Sequence, residues 1–166
     1  MPSDHQLDLS TRDDVSVLQI RTLRDGSQTA EQVAAWIEEF LDGARRSLDI
    51  ALYDLKLSGA TEATVLGAVK RAAERGVAVR LVYNEENRNP IPVPPPPRTD
   101  PVQLAAAGIP IRAVSGVPDL MHHKYVVRDK AVVWTGSTNW TEDSWTREEN
   151  VVAVVRSADV AEAFAR

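Results

Sequence analysis

Between residues 15 and 114 short apolar, β-branched runs alternate with amphipathic helical stretches, and this alternation most restricts the folds open to the chain. VSVLQIRTL (15–23), SLDIALYDL (47–55), VAVRLVY (77–83) and IPIRAV (109–114) read as strands. Thr29, with Gln32 as its capping-box partner, opens a helix whose apolar face is Val33, Ile37, Phe40, Leu41 and Ala44. Thr61 is expected to open a second helix, with Val65, Leu66, Val69 and Ala73 inward and Gly76 at its C-terminal end. Asp100 and Pro101 suit the first two positions of a short helix ending at Gly108. After residue 114 the pattern changes to strands joined by a tight turn at Asp129–Lys130, then a strand over 150–155 and a helix capped by Ser157. The expectation is an α/β layered domain with a mixed, mostly parallel sheet flanked by helices.

A single domain over 15–166 suits the 166-residue length, preceded by a polar tail at 1–14. Residues 84–100 hold six prolines between positions 90 and 97, which forbids a helix or central strand and predicts an extended loop. That loop is either a solvent-exposed insertion or a wall beside the site. The last helix stops in mid-pattern at Arg166, which suggests a domain truncated at its C-terminus.

With no cysteine, the chain has no disulfide, thiolate metal site or cysteine nucleophile. The net charge of −5 is not that of a DNA-coating protein, although a local basic groove remains open. The N-terminus lacks the apolar stretch of a signal peptide, and no run approaches the roughly 20 apolar residues of a membrane span, so a cytoplasmic protein is expected.

The segment MHHKYVVRDKAVVWTGSTNW (121–140) carries two adjacent histidines in a strand hairpin. Side chains alternate along a strand, so His122 shares a face with Lys124, and His123 shares the other with Met121 and Tyr125. Only the first arrangement suits an anionic substrate. Adjacent strand histidines face apart, and neither a cysteine nor an HExxH pattern supports zinc. His123 reads as a packing or surface residue, Trp134, Trp140 and Trp145 as core or pocket-lining aromatics, and Arg128 and Lys130 as solvated. Arg88, Arg98 and Arg147 are further groups that would meet an anion.

His122, Lys124 and Asp129 form H-x-K-x4-D, followed by Gly136, Ser137 and Asn139. Six fixed positions arise by chance roughly once in tens of millions of windows. The pattern resembles the HKD motif and G-S-x-N of the phospholipase D superfamily, and ARRSLDIALYDL, AVKRAAERGVAVRLVYN, LAAAGIPIRAV and REENVVAVV resemble its framework segments. The proline-rich loop departs from that framework. The resemblance implies a phosphodiesterase working through a covalent phosphohistidine without a metal or other cofactor. It makes His122 the nucleophile or, in the other copy, the general acid. Lys124 and Asn139 would hold phosphate oxygens, and Ser137 would orient the phosphate or the histidine. Glu149 would support the imidazole ahead of Glu148, and Asp129 would act structurally through turn and backbone hydrogen bonds.

The implied chemistry needs two histidines, and the chain supplies one motif; His5 has no lysine partner. The missing half is a second identical chain around a twofold axis, or this chain is the N-terminal half of a longer two-motif enzyme whose other half is a separate, complementary HKD chain or absent. Phospholipid stands ahead of nucleic acid as the substrate, because of the acidic balance and the bulky aromatics. A homodimeric endonuclease acting on DNA or RNA is the alternative, favoured by the single motif and compact size. A non-catalytic half retained for assembly is a further alternative.

Overall fold

A computed structural model describes residues 17–85, 99–116 and 119–165. The expected tail at 1–14, His5, Arg88, Arg98 and the proline run lie outside the described residues.

Nine strands and five helices follow in the order β1 (Leu18–Leu23), α1 (Ala30–Asp42), β2 (Ser47–Leu52), β3 (Leu55–Lys56), α2 (Gly59–Glu74), β4 (Ala78–Glu85), α3 (Pro101–Ala106), β5 (Ile111–Ser115), β6 (Lys124–Arg128), β7 (Val132–Gly136), β8 (Trp140–Thr141), α4 (Glu142–Thr146), β9 (Asn150–Arg156) and α5 (Ala158–Phe164), counted among the described residues. Seven strands form one sheet in the order β1-β9-β7-β6-β2-β4-β5, and β3 pairs with β8 in a small second sheet. The α/β class and the mixed sheet are as expected.

The strand directions correct the expectation of a mostly parallel sheet. β2, β4 and β5 run parallel, as strands joined through helices must. The pairs β2–β6, β6–β7, β7–β9 and β9–β1 are antiparallel. The cause is local. Asp129 and Lys130 both take positive φ, 57° and 55°, the geometry of a two-residue primed turn that folds β6 directly back onto β7.

Helix starts follow from side-chain caps. The Thr29 hydroxyl accepts from Gln32 N at 3.2 Å while Gln32 Oε1 accepts from Thr29 N at 2.9 Å, the reciprocal box predicted for α1. Asp100 Oδ1 accepts from Val102 N at 2.9 Å ahead of Pro101, as predicted for α3. For α2 the cap is Ser58, three residues before the expected Thr61. Thr61 instead occupies the third helical position, where its Oγ1 accepts from Ser58 N at 3.4 Å. Gly76 ends this segment at φ +84°, a backbone state that favours glycine.

Alternation along each strand divides the apolar residues between two faces. Leu48, Ile50, Val79, Leu81, Val126, Trp134 and Val152 join the buried sides of α1 and α2 in the main core. Val127 and Val133 face the other way, against Ala161 of α5, with Tyr125 and Phe164 packed edge-on at 5.0 Å. Trp134, Trp140 and Trp145 are all buried, which settles them as core residues. Among the described residues no helix is long and apolar enough to cross a membrane.

Candidate active site

Topology gathers the candidate residues at one end of the large sheet. The parallel strands β2 and β4 end there, β6 begins there, and the crevice beyond the carboxyl ends of parallel strands is where α/β sheets bind ligands. The register sets Leu52 beside Lys124 and Gly136 beside Val152, so the end of β2, the start of β6 and the junction of β7 with β9 are neighbours.

His122 and Lys124 lie on the same side, as alternation predicts. The His122 ring packs edge-on against Tyr53 with centroids 4.5 Å apart, and Lys124 Nζ lies 4.7 Å from the centre of the same ring. Lys124 Nζ also donates to the His122 carbonyl at 3.0 Å. His123 points the other way, toward Tyr125 at 5.5 Å. The backbone here is tied down: Tyr53 N donates to His123 O at 2.7 Å, and Met121 N donates to Oδ1 of the fully buried Asn84 at 3.0 Å.

Burial lowers the Lys124 pKa to about 8, against the opposing charge of Asp54. Partial burial, then the charges of Lys124 and His123, lower that of His122. The result at neutral pH is an uncharged imidazole beside a cation, which is the protonation state a nucleophilic imidazole requires.

Ser137 and Asn139 come from the turn between β7 and β8. Ser137 Oγ donates to Asn150 Oδ1 at 2.7 Å and accepts from Val151 N at 3.0 Å, so its hydroxyl links the β7 end to β9. A Cβ at Gly136 would run into the Val151 carbonyl, so this approach requires glycine. Asn139 is anchored by its backbone, with N donating to Ser144 Oγ at 3.2 Å and O accepting from Trp145 Nε1 at 2.8 Å. Its Oδ1 is buried without a partner among the described residues. Trp140 N donates to Asp54 O at 3.0 Å, which seats this turn against the end of β2.

Glu149 is exposed at the same end of the sheet, immediately before β9. Its neighbour Glu148 is the one in a hydrogen-bond network, accepting from Ser144 Oγ at 2.7 Å and Asn150 Nδ2 at 3.2 Å. Asp129 lies at the opposite end of β6. Its carboxylate accepts from the backbone N–H groups of Arg45, Arg46 and Ser47 at 2.6 to 3.1 Å and so fastens the hairpin to the start of β2. Burial works to raise its pKa, but these donors and Arg128 outweigh burial and hold it below the usual carboxylate range. Among the described residues no three His, Asp or Glu side chains converge as a metal cage.

The sequence reading missed Tyr53, Asp54 and Asn84. Their signal was position: each sits at the carboxyl end of a parallel strand, where a polar residue after an apolar run marks a site.

Residues 37–166 match the family model described as cardiolipin synthase, phospholipase D-like domain. The chain belongs to the phospholipase D superfamily. It is similar to human mitochondrial cardiolipin hydrolase, 36% identical over 115 residues, which are 66% of this chain and 39% of that protein. It is also similar to a phospholipase D from Rickettsia bellii (strain RML369-C), 26% identical over 129 residues, 78% of this chain and 58% of that one. The chain thus spans well under two thirds of the length of these curated relatives. Among solved structures, Nuc of Salmonella typhimurium, described as a phospholipase D family member, shares the fold with a TM-score of 0.66 at 24% identity, over 89% of this chain and 88% of that one. NucT from Helicobacter pylori does so with a TM-score of 0.64 at 17% identity, over 89% and 91%. Two of these relatives are thus named as enzymes that act on phospholipids.

Proposed function

We propose that this chain forms half of a phosphodiesterase site in which His122 attacks phosphorus. The carrying observation is the pair made by the His122 imidazole and the Lys124 ammonium on one Tyr53 ring. In the first step an imidazole nitrogen of His122 bonds to phosphorus and the bond to the leaving oxygen breaks. That oxygen takes a proton from the imidazolium of the second site half. In the second step the now neutral imidazole takes a proton from water, the hydroxide attacks phosphorus, and the P–N bond breaks. Lys124 and Asn139 hold the nonbridging oxygens on which charge builds, a type of contact that contributes about 3–4 kcal/mol per donor.

Glu149 is assigned to the histidine of the other half. It is exposed at the site end of the sheet, and no hydrogen bond among the described residues joins it to His122 of its own chain. The second half is a second copy of this chain or a complementary HKD chain. Asp129 and Ser137 act by holding the frame, through the backbone bonds described above.

A phospholipid diester is the favoured substrate, supported by the names of the cardiolipin hydrolase relative and of the matching family. A nucleic-acid substrate is the second reading, supported by the single motif in a compact chain. The test is hydrolysis of a chromogenic phosphodiester with excess EDTA, comparing the chain with His122→Ala. Turnover should fall by roughly 10³-fold or more with the fold retained. Turnover that persists in the variant overturns the role of His122. Cardiolipin vesicles and single-stranded DNA, run in parallel, separate the two substrate classes.

A further inference from the structure

On the face of the sheet covered by α1, three guanidinium groups line one small cavity, Arg128 and Arg156 from the strand ends away from His122 and Arg21 from the stretch of β1 paired with Val152. Arg21 belongs to β1, Arg128 to β6 and Arg156 to β9, and Phe40 and Trp134 form the apolar floor. The cavity is about 90 Å³, room for about three waters or one tetrahedral oxyanion. Asn150, at the catalytic end, and Arg156 are the two ends of β9, a span of about 20 Å. One phosphate cannot bridge the two places.

The arginines are held by aromatic faces more than by carboxylates. Arg21 lies over Trp36 and Arg128 over Phe40, each 4.5 Å from the ring centre. Arg128 Nη1 donates to Phe40 O at 2.8 Å. Sequence reading expected Arg128 to be solvated; it is half-buried because β6 points it under α1. Arg156 Nε is buried and has no hydrogen-bond partner among the described residues. One carboxylate, Glu39, lines the same cavity, so three positive groups face a single negative one in a chain of net charge −5. Burial and Arg156 both lower the pKa of Arg128, and Asp129 and Glu39 offset this only in part.

We propose that Arg21, Arg128 and Arg156 form a binding site for a single phosphate group, separate from the catalytic centre. The fork-shaped donors of arginine match tetrahedral oxyanions, and a bound phosphate supplies the acceptor that Arg156 Nε lacks within the described fold. The cavity size favours inorganic phosphate or a small phosphate monoester over an extended chain.

The full chain is titrated with inorganic phosphate at constant ionic strength, with chloride as reference. The readouts are the melting temperature and the Arg156 Nε–H resonance. Phosphate should raise the melting temperature and shift that resonance, and glycerol phosphate in a parallel arm distinguishes a free ion from a carried one. Arg156→Gln and Arg21→Gln should each weaken apparent binding about tenfold or more, the loss of one charge-assisted bond. Lys124→Met, which disables the catalytic centre, should leave the response intact. A response that survives both arginine variants, or that vanishes in Lys124→Met, overturns the proposal. Should Arg156→Gln fail to fold, the exposed Arg21 gives the same reading alone.

Discussion

At the residue scale, the proposed mechanism turns on two opposed protonation states. His122 must be neutral to attack, and its lowered pKa makes it so at pH values below the ordinary histidine range. Lys124 must be charged, and its pKa of about 8 means that it loses its proton as pH rises through that value. The kcat/KM profile should therefore climb at mildly acid pH and fall above about pH 8. Lys124→Arg should abolish the part of the alkaline fall that Lys124 causes, since arginine stays protonated, and leave only the fall from the second half's imidazolium. A profile flat to pH 10 in the unmodified chain would contradict this role for Lys124. Asp129 carries a different burden. Replacing it with Ala leaves three backbone donors unmet and should cost about 2 kcal/mol in urea unfolding at pH 7. Its folded pKa is depressed, so its stabilisation is present above the unfolded value and fades as pH falls through the folded one. The difference between the chain and Asp129→Ala should shrink at pH 3. The H-x-K-x4-D spacing was legible in the sequence because the motif is local, with His122 just ahead of the strand that Lys124 opens. Tyr53, Asp54 and Asn84 were not legible as partners, since only the pairing of β2 with β6 and β4 brings them there.

At the element scale, the start of α2 is locked to α4. The Glu142 carboxylate accepts from Ser58 Oγ at 2.9 Å and Thr61 Oγ1 at 2.6 Å. The Thr61 hydroxyl, opposed by burial and helped by Ser58, lowers the Glu142 pKa. Glu142→Ala should cost about 1–2 kcal/mol in unfolding free energy at neutral pH, with the loss shrinking in acid. An unchanged midpoint in urea would show that this contact carries no stability. The same contact explains the misplaced start of α2. Ser58 and Thr61 are both cap-type residues, and a propensity reading cannot choose between them. The choice comes from Glu142, 81 residues beyond Thr61. The β6–β7 hairpin was legible because Asp129–Lys130 encodes its own turn. The short β3–β8 pair was not, because neither two-residue strand carries a periodic signal.

At the scale of the whole molecule, the proposed mechanism requires a second histidine from another site half. If that half is a second copy, specific activity should rise with protein concentration in the range where the dimer forms. Mixing His122→Ala with the unmodified chain should then depress activity per active chain. Specific activity independent of concentration, from a species shown by sedimentation to be monomeric, would exclude a shared site. The alternation of strands and helices foretold the layers, yet it misjudged the sheet as mostly parallel. The reason is that β9 and β1 close the antiparallel edge across a separation of more than 120 residues, which no local pattern records.

The covalent step is the most exposed part of this account. Rapid quenching of the chain with a phosphodiester radiolabelled at phosphorus should leave alkali-stable, acid-labile label on the protein, mapped to His122 and absent from His122→Ala. Hydrolysis without any such label under single-turnover conditions, or equal labelling of the variant, would contradict it.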